Sequence, residues 1–183
     1  MTERKGNFIL FYSTKSIYSN FHPAEFTDQE LMRNLPESSE FFGQKDFRFS
    51  HVEQYMHACK AMLFLDYPVL DQILSTSDPK EAKELGRQVA NFDDKVWTAT
   101  ARDIVTRGCV LKFGQNEELR QLMEDDGRDS QFVECAPRDR RFVRVYLVFS
   151  KCAKFTTLSM LNKLLMLRSR KVNSECLITF IDD

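Results

Sequence analysis

Apolar positions along the chain fall into runs of two periods, separated by stretches rich in proline, glycine and serine. Phe8-Ile9-Leu10-Phe11-Tyr12 is an unbroken apolar run of strand length and reads as a strand buried on both faces. Residues 13 to 46 are turn-rich, with Pro23, Pro36 and Gly43 among scattered serines. Phe41-Phe42 and Phe47/Phe49 are spaced to pair as a small antiparallel ribbon around Gly43. Ser50 followed by Glu53 matches a capping box and predicts a helix starting near His51. That helix should stop before Pro68, because the residue preceding a proline avoids the helical region. A shorter helix is expected over Val69 to Leu74. Ser77-Asp78-Pro79 is a start signal, a polar cap with proline at the first helical position. The helix it opens should run to about Val89.

Val96-Trp97, Ala101 and Ile104-Val105 fall at helical spacing and predict a helix over Asp94 to Leu111. Asn116 is placed to cap another helix, carrying Leu119, Leu122 and Met123 and ending near Gly127. Gln131 to Cys135 reads as a strand terminated by Pro137. Beyond it, Phe142 to Phe149 is strongly β-prone. Leu158, Leu161, Leu164-Leu165 and Met166 then suit an amphipathic helix with basic residues after it. The pattern as a whole predicts a helix-rich α+β domain with a small, mostly antiparallel sheet.

Composition narrows the class. With 183 residues, 43% of them apolar, the chain is long enough to bury a real core in one domain. A net charge of −1 makes no global electrostatic case for nucleic acid. The charge is uneven: residues 140 to 183 hold nine Lys/Arg against three Asp/Glu, whereas residues 1 to 139 hold 17 against 24. We therefore divide the chain into a main domain, 1–139, and a basic C-terminal segment, 140–183. The five cysteines form no C-x-x-C, which argues against a zinc ribbon and for free thiols in a reducing compartment. His51-Val52-Glu53 has the H-x-E half of a zinc deaminase without its P-C-x-x-C partner, so no metal is expected. The first residues contain no secretory apolar run, and no stretch reaches membrane-spanning length, so a cytoplasmic location is expected.

The candidate chemistry centres on the helix near His51. Glu53, His57 and Lys60, spaced by four and three, share one face. A carboxylate, an imidazole and an amine in a row can solvate a sugar phosphate or do acid–base work on it. They can equally be a polar ladder on a capped surface helix. Gly86 inside its helix costs nearly 1 kcal/mol against alanine, so close approach of a neighbour or ligand is expected there.

Around this segment stands an ordered set of motifs: Phe11-Tyr12-Ser13, Tyr18-Ser19-Asn20-Phe21, Ala82-Lys83-Glu84-Leu85-Gly86-Arg87, the lone Trp97, Lys112-Phe113 with Gln115-Asn116, and Val133-Glu134 with Asp139. Over about residues 7 to 139 the set resembles the NADAR family, the YbiA-like N-glycosidases that act on ribosyl-linked bases. After Asp139 the family continues with a Trp-Gly and glycine-rich segment, where this chain reads Arg140-Arg141-Phe142-Val143-Arg144.

The resemblance implies a YbiA-like fold and hydrolysis of a base–ribose bond, in a phosphorylated riboside or in ADP-ribosylated guanine, without a cofactor. It implies Glu53, Lys60 and Asp139 as catalytic residues, and Asn20, Phe21, Arg87, Trp97, Lys112 and Glu134 as substrate-binding residues. Lys60 would bind phosphate or form a Schiff base with the ring-opened sugar. His57, where the family often has glutamine, would make at most a polar contact. The implied partner is a riboside phosphate or ADP-ribose-type ligand, or ADP-ribosylated nucleic acid. A contrasting reading is a non-catalytic ADP-ribose or nucleotide-binding module, inactivated by its altered C-terminus.

Overall fold

A computed structural model of the chain describes residues 2–11, 14–127 and 130–134. Three strands, β1 (Thr2–Lys5), β2 (Phe8–Phe11) and β3 (Gln131–Glu134), form one sheet in the order β1-β2-β3. Between β2 and β3 come six helices: α1 (Gln29–Arg33), α2 (Val52–Leu63), α3 (Tyr67–Ser75), α4 (Pro79–Gln88), α5 (Asp94–Gln115) and α6 (Glu117–Gly127). The expected α+β class with a small sheet holds. The sheet is mixed, however: β1 and β2 pair antiparallel, β2 and β3 parallel, with Ile9 opposite Phe132. The cause is topological. A chain leaving β2 through six helices can return in the same direction, which a tight hairpin cannot.

β1 carries no hydrophobic signal, since all four of its residues are exposed. It is joined to β2 through Gly6-Asn7, and Gly6 sits at φ 57°, where glycine is the unstrained choice. β2 is buried on one face, not both as its sequence suggests. Ile9 and Phe11 enter a core with Tyr18, Phe113, Met123 and Phe132, while Phe8 remains 46% exposed. Among the described residues, α5 and α6 supply that core with Phe113 and Met123.

α2 is the central helix, with nine of its twelve residues buried against neighbours that include α3, α4 and α5. Its start corrects the expected capping box. The N-cap is His51, whose Nδ1 accepts from the Gln54 amide at 3.0 Å while Gln54 Oε1 accepts from the Ser50 amide at 2.8 Å. Burial lowers the His51 pKa and so keeps the ring neutral and able to accept. The box is thus shifted by one residue, and Glu53 is released from capping. α3, α4 and α5 open behind Asp66, Asp78 and Asp93 as N-caps. Pro68 stands in the first turn of α3, so Tyr67 begins that helix instead of lying outside it.

The ribbon expected around Gly43 does not form. Residues 38–43 run through turns, and Phe49 instead makes an isolated bridge to Phe26, with amide–carbonyl distances of 2.8 and 3.1 Å. The phenylalanines serve packing instead of pairing: Phe41 meets Phe47, Phe47 meets Phe49, and Phe49 meets Tyr55, all edge to face. Cys59 and Cys109 are free and buried. Among the described residues no helix is long and apolar enough to cross a membrane. Asp139, the β-prone run from Phe142, the amphipathic run from Leu158 and the boundary at 139/140 lie outside the described residues.

Candidate functional site

One face of α2 opens on a cavity of about 200 Å³. Glu53, Met56, His57 and Lys60 line it from that helix, at the i, i+3, i+4, i+7 spacing of a single stripe. The loop after β2 adds Asn20 and Phe21, α4 adds Lys83, α5 adds Trp97 and Val105, and β3 ends in it with Glu134. Of the residues expected in a site, Glu53, Lys60, Asn20, Phe21, Trp97 and Glu134 are therefore brought together. The space is smaller than the roughly 300–1,000 Å³ of drug-sized pockets, so it encloses a ring or two, not a dinucleotide.

Glu53 is 4% exposed. Its Oε1 lies 3.2 Å from His57 Nε2 and 3.8 Å from Lys83 Nζ. Among the described residues no hydrogen bond reaches Oε2. The loop holding Asn20 is tied to this point, because the Glu53 amide donates to the Asn20 carbonyl at 3.1 Å. Lys60 Nζ donates to the Gly86 carbonyl at 2.6 Å and lies 4.2 Å from the Phe92 ring centroid and 5.6 Å from that of Trp97. Burial lowers the Lys60 pKa, raising the fraction of free amine at a given pH. Gly86 has the close neighbour its sequence position suggested: a Cβ there would come within 1.9 Å of His57 Nδ1.

Arg87 and Lys112 are not among the residues lining the cavity. Arg87 is exposed on α4, on the side away from the buried Ala82 and Gly86. Lys112 is 1% exposed and donates to the carbonyls of Ile17 and Ser19 at 2.7 and 3.0 Å. Gln115 and Asn116, one turn on, bond the backbone of Thr27 and Glu25. The Lys112 to Asn116 motif thus stitches the end of α5 to the loop that carries Asn20 and Phe21.

Burial pushes the Lys112 pKa down to about 8, against a smaller upward pull from Cys109. An unfolded lysine titrates near 10.4. Between those values the unfolded chain binds the extra proton, so this group makes stability rise with pH across that window. Urea unfolding of the wild type and Lys112→Met at pH 7 and pH 10 should show the difference moving toward the wild type by about 2–3 kcal/mol. A pH-independent difference would mean that Lys112 is not shifted.

Met56, Lys83 and Val105 line the cavity without having been singled out for it. Met56 and Val105 carried a signal, since Met56 falls on the Glu53–Lys60 stripe and Val105 lies two turns beyond Trp97. A larger open groove of about 870 Å³ runs along α3 and the start of α4. Glu40, Asp71, Asp78 and Glu81 line it, and no lysine or arginine is among its described lining residues, so its field repels phosphate.

Comparison with known proteins fits this architecture. The NMR structure of the E. coli protein YbiA shares the fold, with a TM-score of 0.55 over 93% of this chain and 88% of that one at 21% identity. Protein irg-1 of Caenorhabditis elegans is 31% identical over 140 residues, covering 75% of this chain. N-glycosidase R617 of Acanthamoeba polyphaga mimivirus is 38% identical over 98 residues, covering 54% of this chain. The matches span 65% and 57% of those two proteins, less than two thirds of either. The NADAR domain matches residues 10–144, well over half of the sequence, and the chain belongs to that family.

Proposed function

We propose that the chain is an N-glycosidase that hydrolyses the bond between a base and ribose, in a phosphorylated riboside or in ADP-ribosylated guanine. The observation that carries this reading is the convergence of the Glu53 carboxylate, the Lys60 amine and the Trp97 indole on one ring-sized cavity. Departure of the base builds positive charge on the sugar. A carboxylate beside the anomeric carbon offsets that charge and can deprotonate the attacking water, as in O-glycoside hydrolysis. Glu53 takes that part, with Asp139 joining it on the strength of the family resemblance. The half-buried Trp97 offers the departing base a face to stack on, an interaction worth about 1–3 kcal/mol per base. Asn20, Phe21 and Glu134 contact base and ribose.

Lys83 replaces Arg87 and Lys112 as the phosphate-facing cation in this reading. Its side chain is 39% exposed at the cavity, and its ammonium lies 5.4 Å from the Phe21 ring centroid. The location expected for such an activity is cytoplasmic. The non-catalytic alternative, a binding module for ADP-ribose-type ligands, draws on Lys60. Held at 2.6 Å by a carbonyl and faced by two rings, its ammonium is arranged as a fixed cation.

One experiment separates the readings. ADP-ribose, ribosyl-pyrimidine phosphates and ADP-ribosylated guanine are titrated into the protein while melting temperature and released base are followed. Binding to the folded state stabilises it by about 2.7 kcal/mol at one hundred times Kd. A thermal shift with free base appearing by mass spectrometry is the expected result. A shift without free base selects the binding module. No shift at millimolar ligand, in a folded sample, removes both.

A further inference from the structure

The least explained group beside the cavity is His57. Its ring is 7% exposed, and Nδ1 has no hydrogen-bond partner among the described residues, although it is buried. The ring lies so close to the α4 backbone that only glycine fits at position 86: a Cβ would meet Nδ1 at 1.9 Å and Cγ at 2.4 Å. On its other side Nε2 faces Glu53 Oε1 at 3.2 Å. These contacts fix the proton. With hydrogen on Nδ1, a buried N–H would be orphaned and the Nε2 lone pair would point at a carboxylate. Hydrogen on Nε2, by contrast, gives Glu53 Oε1 a donor.

We infer that His57 is a positioning residue, whose Nε2–H fixes Glu53 Oε1 and leaves Oε2 as the carboxylate oxygen that works on the substrate. The inference rests on the N-glycosidase reading above, and extends it to a residue that need not touch the ligand. Gly86 does double duty in this arrangement. Its missing side chain seats the imidazole, and its carbonyl takes the Lys60 ammonium at 2.6 Å. A single turn of α4 therefore sets the two groups proposed for the chemistry.

The test compares wild type, His57→Leu and His57→Gln on whichever panel riboside the wild type cleaves, with melting curves for each. Displacing a catalytic group by about 1 Å can cost a hundredfold, so His57→Leu should lower kcat by about ten- to a hundredfold while KM stays within about threefold. His57→Gln, which keeps an N–H donor near Oε1, should recover most of that loss. Equal losses in the two variants, or losses that follow KM or melting temperature alone, overturn the inference. The ring's protonation is read separately, by 15N NMR of imidazole-labelled protein at neutral pH. Hydrogen on Nε2 is expected, and an Nδ1–H tautomer overturns the inference whatever the turnover. A wild type that cleaves nothing on the panel fails the N-glycosidase reading instead, and the tautomer alone then decides the His57–Glu53 contact.

Discussion

Glu53→Gln is expected to lower turnover at least about a hundredfold while leaving the fold intact. The structural half of this expectation follows from α2's true cap. Because His51 takes the Gln54 amide and Gln54 that of Ser50, the variant removes no cap, and the loss of about 1 kcal/mol typical of one does not arise. The amide oxygen of glutamine still accepts from His57 Nε2–H. The 3.8 Å contact with Lys83, whose side chain is 39% exposed, is worth at most about 1 kcal/mol. Removing a charge from a side chain only 5% exposed offsets part of even that. The chemical half depends on charge. A neutral amide neither balances a developing oxocarbenium nor takes a proton from water. Melting temperature and release of base are measured on one preparation. A variant that melts and cleaves like the wild type removes Glu53 from the chemistry, whereas loss of cleavage with normal melting assigns it there.

Much of this site was legible because helical periodicity and side-chain direction are local. Once α2 was placed, Glu53, His57 and Lys60 had to share a face, and Met56 with them. Gly86 was legible for a similar reason, since a glycine inside a helix is costly unless something occupies the space its side chain would fill. Failures came where one residue's offset or a distant partner decides. The capping box moved by a single position because a buried, neutral imidazole can cap as an oxygen does. β1 escaped notice because an exposed edge strand needs no apolar residues. Phe41, Phe42, Phe47 and Phe49 have strand-like composition, yet three of the four are used in ring-to-ring packing that needs no ladder.

Cationic residues carry the least positional information. From sequence alone, Lys112 and Arg87 are interchangeable with Lys83 as phosphate donors. Position along the chain says nothing about which ammonium meets backbone carbonyls, which meets solvent and which meets the cavity. The loop from residue 14 to α1 is held by such long-range polar bonds. Lys112 fixes its start, Gln115 and Asn116 its middle, and Asp28 its end. Each partner lies some 80 to 95 residues away in sequence, beyond the reach of any periodic pattern.

Asp28 is where that arrangement is most vulnerable. It is 3% exposed and serves four donors groups at once. Oδ1 caps α1 by accepting from the Glu30 and Leu31 amides at 3.1 and 3.2 Å, and Tyr55 donates to Oδ2 at 2.9 Å. Arg107 grips both oxygens at 2.7 Å. Burial by itself would raise the Asp28 carboxyl; the Arg107 bonds and charge, with those from Leu31 and Tyr55, outweigh it and hold the pKa below its ordinary value. Asp28→Asn keeps a good cap residue but turns an NH2 group toward donors and leaves Arg107, whose side chain is 14% exposed, with Glu30 as its remaining ion-pair partner. Breaking a buried pair in this way costs about 3–5 kcal/mol, a large part of the roughly 5–15 kcal/mol that folds a domain. The urea midpoint should fall accordingly with an unchanged slope. A folded-state pKa below the unfolded value of about 3.9 means that the carboxylate's contribution is complete above that pH and is lost as pH falls through the lowered value. The gap between wild type and Asp28→Asn should therefore hold from pH 7 to about 5 and close under stronger acid. A gap below about 1 kcal/mol at pH 7 would show that Asp28 is a cap and little more.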